Sequence, residues 1–122
     1  MNNLINWVEI PVRDMTRAVK FYEGILDCRL NVQDFGELKM AWFPMEQGAP
    51  GASGSLVQND AYNPSYSGSV IYLSVEDINR TLTLIEQQGP KIINPKRSIG
   101  QFGHVAHFED TEGNRVALHA NQ

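Results

Sequence analysis

VEIPVRDMTRAVKFYEGIL, residues 8–26, returns as IYLSVEDINRTLTLIEQQG at residues 71–89, a constant displacement of 63 positions. Under that displacement Val12 falls on Val75, Asp14 on Asp77 and Arg17 on Arg80. Ile10, Met15 and Val19 fall on Leu73, Ile78 and Leu82, so polar and apolar positions both recur. Identical spacing of an alternating segment, an Asp and a helical segment reads as an internal duplication.

Each copy has the same local logic. Val8, Ile10 and Val12 alternate with Trp7, Glu9 and Pro11, which predicts a strand with one aliphatic face and one face of different chemistry. Asp14 stands at a helix N-cap, and Met15, Ala18, Val19, Tyr22 and Leu26 follow at helical spacing. Asp77 caps the second copy, with Ile78, Leu82 and Ile85 behind it and Gly89 as the stop. Arg13, Arg17 and Arg80 read as solvated helix surface.

Working outward, Cys28–Val32 and Leu38–Phe43 read as strands about a turn at Asp34–Gly36, and a short strand is expected near Ser55–Gln58. The Gly-rich stretch 46–54 reads as a loop before that strand, and the polar stretch 59–68 as the connector between halves. The second half repeats the order: strands at Lys91–Asn94, Phe102–Glu109 and Asn114–His119, with a loop at 95–101 and a turn at 110–113. One domain is expected, built of a βαβββ module over residues 1–63 and a second over 64–122. With one helix per half, only one sheet face is covered, and the other needs a second module or a second chain.

Composition narrows the function classes. The 122 residues are 42% hydrophobic and 20% charged, ordinary for a globular domain. Ten Lys and Arg against 14 Asp and Glu, with no basic stripe, argue against a nucleic-acid partner. No apolar run has membrane-spanning length and MNNLINWVEIP lacks the pattern of a signal peptide, so a cytoplasmic location is expected. The single Cys28 falls in an apolar stretch and reads as packing.

The opener, its repeat and the closing FEDTEGNRVALH at residues 108–119 together resemble the vicinal oxygen chelate superfamily: glyoxalase I, extradiol dioxygenases, fosfomycin- and bleomycin-resistance proteins. The resemblance covers nearly the whole chain. It implies an α+β fold in which two βαβββ modules form a curled, cup-like mixed sheet, usually completed as a homodimer. It also implies a divalent ion held by side chains on the opening and closing strands of the modules. Matching on those strands puts the ligand positions at Trp7, Val70 and Ala117, with the fourth at or near Ser55. Indole, isopropyl and methyl groups donate nothing to a divalent ion, so no metal ligand is assigned and no cofactor is expected.

The histidines offer one substitute. A turn at 110–113 pairs residues whose numbers sum to 223, which sets His104 opposite His119 and Ala106 opposite Ala117. A divalent metal on His104, His119 and Glu9 is then an alternative. The cup face is expected to carry Trp7, Glu9, Pro11, Val70, Tyr72, Ser74, Phe108, Arg115, Ala117 and His119, joined by Trp42. Among these, Trp7, Glu9, Trp42, Tyr72, His104, Phe108, Arg115 and His119 are the candidate ligand-binding residues. Aromatic walls with a carboxylate, a guanidinium and an imidazole suit a small organic ligand, although both tryptophans also read as core filler.

Glu9 is the candidate catalytic residue. A carboxylate on a strand expected to be buried needs a partner or a raised pKa, which suits a general base or a ligand anchor; a salt bridge to Arg115 or a bond to Tyr72 reads equally well. Two functions remain open: a metal-free protein that binds a small organic molecule, and a glyoxalase-type lyase or isomerase using substituted ligands or Glu9 as base. A pure assembly role, with the cup filled by its own side chains, is the third.

Overall fold

The computed structural model describes residues 1–122. Both copies of the repeat fold as expected. β1 (Trp7–Pro11) leads into α1 (Met15–Leu26), and β5 (Tyr72–Ser74) leads into α2 (Ile78–Gln88). Asp14 accepts a hydrogen bond from Arg17 N and Asp77 accepts one from Arg80 N, so each aspartate satisfies a helix-end donor that has no intrahelical partner. The ends differ: α1 stops at Asp27 and α2 at Gly89, both in left-handed backbone.

The remaining strands are β2 (Asn31–Asp34), β3 (Lys39–Trp42), β4 (Ser53–Gln58), β6 (Ile92–Ser98), β7 (His104–Glu109) and β8 (Arg115–Ala120). They form two four-stranded sheets of matching order, β1-β4-β3-β2 and β5-β8-β7-β6. In each, the opening strand runs parallel to the closing one and the other pairs are antiparallel. The architecture is α+β, with mixed sheets that do not close. β6 runs on through Lys96 and Arg97 to Ser98, where a loop was expected, and it does so by shifting register twice against β7.

One core joins the halves. Met15, Ala18, Phe21, Tyr22 and Ile25 of α1 are buried, and Phe21 reaches Phe108 of the second sheet at 6.0 Å between rings. Ile10, Ala41 and Leu56 from the first sheet and Ala106, Val116 and Leu118 from the second share this core. The faces carrying these residues are thus occupied by helix, which leaves the opposite faces as the outer ones.

The turn after β7 does more than reverse the chain. Its Glu112 accepts from Arg13 N, Asp14 N and the Arg17 guanidinium, and Asn114 donates to Pro11 O. Arg17 is therefore an ion-pair partner and not plain surface. Tyr22 Oη donates to Asp110 Oδ2 in the interior at 2.6 Å.

Candidate functional site

The register of the last hairpin decides which histidine faces outward. Asp110 Oδ1 accepts from both Glu112 N and Asn114 N, so Asn114 belongs to the turn and the loop spans 110–114. His104 then pairs with Ala120 and His107 with Ala117, one step from the expected pairing. The slip turns every β7 side chain to the other face. Phe108 is a fully buried core residue and is no part of the outer face. His104 also lies on the helix side, while His119 stays on the outer side, so His104, His119 and Glu9 do not converge. His107 takes the expected place of His104. The signal that would have found it is Asn114, a polar residue that prefers turns to strands.

On the first sheet, Glu9, Ser55 and Trp42 stand side by side across β1, β4 and β3. Trp7, two residues before Glu9 on the same face, meets Trp42 edge to face, with 6.2 Å between centroids and 85° between planes. Ser55 is wholly buried, and neither its Oγ nor the indole Nε1 of Trp42 has a hydrogen-bond partner. Both atoms are shielded from solvent, which places them inside the sheet's outer layer and not on its open surface. Glu9 is exposed, contrary to the burial expected for it, because β1 is an edge strand with β4 as its only neighbour in the sheet. Its partner is neither Arg115 nor Tyr72: Tyr62, from the connector between the modules, donates its hydroxyl to Glu9 Oε1 at 3.0 Å. That bond holds the Tyr62 phenol above its ordinary pKa.

On the second sheet the equivalent row is Tyr72, Ala117 and His107 across β5, β8 and β7. Arg115 Nε donates to His107 Nδ1 at 2.9 Å, which leaves Nε2 as the protonated nitrogen of a neutral ring, 3.2 Å from Tyr72 Oη. Burial pushes His107 below the ordinary imidazole pKa, and Arg115 and Arg97 push the same way. His119 faces outward but spends its Nε2 on Phe102 O. No hydrogen bond or ring contact joins this row to the row of Glu9, Ser55 and Trp42.

The positions matched to the family's metal ligands carry Trp7, Ser55, Val70 and Ala117, one hydroxyl among four. No group of three or more His, Cys, Asp or Glu is arranged to hold a metal ion. This donor set does not fit a divalent cation.

A separate cavity reaches the second row only at Tyr72 and includes none of Glu9, Ser55 and Trp42. It is an open groove of about 1170 Å³ between the C-terminal end of α1 and α2, with Val8, Phe43, Ile71 and Leu84 among its walls. Asp77 lies in it but is already used as the α2 cap.

A profile of the Glyoxalase/Bleomycin resistance protein/Dioxygenase superfamily matches residues 4–118. The chain belongs to that superfamily. A glyoxylase-like domain-containing protein of Didymella fabae is 30% identical, over 97% of this chain and 94% of its own. Among solved structures, glyoxalase I of Zea mays superposes with a TM-score of 0.71 at 21% identity; the alignment covers 94% of this chain and 45% of the maize one. A fosfomycin resistance protein of Listeria monocytogenes gives 0.70 at 15% identity, covering 100% of this chain and 93% of the other. An antibiotic-binding protein of Streptomyces gives 0.68 at 21% identity, covering 99% and 98%. These superpositions establish the glyoxalase/bleomycin-resistance fold of this superfamily member, and no helix is long and apolar enough to cross a membrane.

Proposed function

We propose that this superfamily member is a metal-free binding protein for a small, partly aromatic organic molecule, held against Trp7 and Trp42. The observation that carries the reading is the pair of indoles, Trp7 and Trp42, set at right angles on the face that also carries the exposed Glu9. An apolar surface with a few placed polar groups is what small-ligand sites offer. The likeness in fold to an antibiotic-binding protein from Streptomyces supports this reading. A glyoxalase-type lyase or isomerase acting through Glu9 is the weaker reading: that carboxylate is exposed to solvent and already accepts the Tyr62 hydroxyl.

The working unit is a homodimer. β1 and β5 are both edge strands with one free side. A second copy would bring its Tyr72, His107 and Arg115 row over the Glu9, Ser55 and Trp42 row and close the cup that one chain leaves open. Neither nucleic acid nor membrane is a partner in this reading.

A thermal-shift screen of planar organic compounds, run with chelator and again with Zn, Ni or Mn ions, tests it. Stabilisation that persists in chelator and disappears in Trp7→Ala is expected; stabilisation that appears only with added metal would overturn it.

A further inference from the structure

Resting on that reading of the first sheet's outer face, we propose that the ligand is an organic cation, an alkylated ammonium, received in a cage of Trp7, Trp42 and Tyr62 with Glu9 as its counter-ion. Two indoles at 85° form a corner, and a cation placed there lies over the face of one ring and beside the other. Trp is the strongest aromatic partner for a cation, because its ring face carries the negative end of the quadrupole.

The third wall comes from outside the sheet. Tyr62 is half-buried, and its hydroxyl is fixed on Glu9 Oε1 at 3.0 Å, which brings the phenol to the row that also holds Ser55 and Trp42. Glu9 makes no ion pair in the structure: the ion pair present is that of Arg17 with Glu112, at the far end of the β1 to α1 corner. A carboxylate on an aromatic surface with no cation of its own is a charge left for the ligand, and the chain's net charge of −4 favours the approach of a cation.

The test is a titration of the full-length protein, followed by tryptophan fluorescence and calorimetry, with two probes of matched shape. Choline carries the quaternary nitrogen, and 3,3-dimethylbutan-1-ol replaces that nitrogen by carbon. Choline is expected to bind about tenfold or more tightly than the neutral alcohol, by the cation–π attraction together with the carboxylate. Glu9→Gln is expected to lower choline affinity several-fold more than it lowers affinity for the alcohol, and Trp7→Ala to abolish the fluorescence response. Far-ultraviolet circular dichroism and the melting temperature establish that each variant is folded. Equal affinity for the two probes overturns the cation assignment while leaving the binding site standing. No response to either probe at tens of millimolar overturns the cation assignment too, and stabilisation by neutral planar compounds in the screen above would then uphold the broader binding function. A response that survives in Trp7→Ala overturns both.

Discussion

Arg17 Nε lies 2.8 Å from Glu112 Oε2, and these residues join the first helix to the closing turn of the second module. The Glu112 side chain is fully buried and also accepts Arg13 N and Asp14 N. One carboxylate thus anchors the corner from which β1, with Trp7 and Glu9, is aimed. Glu112→Gln removes the charge that Arg17 faces, and a loss of about 2 kcal/mol at pH 7 is expected in urea unfolding.

The same contact sets an acid limit. Burial alone would raise the Glu112 pKa, but the Arg17 pair, with the Asp14, Thr111 and Arg13 hydrogen bonds, lowers it from 4.5 to about 2. The unfolded chain therefore binds the proton first, so the contribution of this group is complete above about pH 4.5 and is lost as pH falls toward about 2. Asp110 runs the other way: burial raises its pKa, so its contribution is greatest in acid and declines as pH rises through the raised value. Stability measured from pH 5 to pH 2 should fall steeply in the wild type and less steeply in Glu112→Gln. Parallel curves would show that the Arg17 contact does not govern acid stability.

His107 should be a neutral ring protonated on Nε2 at pH 7, because Arg115 Nε–H points at its Nδ1. Long-range ¹H–¹⁵N spectra distinguish the tautomers directly. Arg115→Met removes one of the charges that lower the His107 pKa, so the titration should move upward, with Arg97 and burial still holding part of the shift.

β1 and β4 approach too closely for any side chain at Gly54. A Cβ there would collide with the Val8 carbonyl oxygen and Val8 Cγ2. Gly54→Ala is expected to cost about 3 kcal/mol and to loosen the pairing that sets Glu9 beside Ser55. Denaturant unfolding measures the first effect, and weakened probe binding by the surviving folded protein measures the second.

The fold was legible because its two openers carry period-two and helical spacing next to a capping Asp, all local signals. Trp7, Glu9 and Tyr72 were placed on their outer faces for the same reason. His107 was missed and Phe108 misplaced through one residue: Asn114 joins the turn by bonds to Asp110 and Pro11, and Pro11 is 103 positions away in the chain. Tyr62 escaped notice because it lies in a connector without periodicity and acts through a contact 53 positions distant. Strand faces follow from local pattern, whereas hairpin register and loop contacts are set by tertiary bonds that no short window contains.

Native mass spectrometry of freshly purified protein, never exposed to chelator, is the sharpest test of the proposed cup that holds an organic molecule without a metal. A dimer with no stoichiometric transition metal is expected, carrying a retained small organic adduct that is absent from Trp7→Ala. One Zn, Ni, Mn or Fe ion per chain would contradict it.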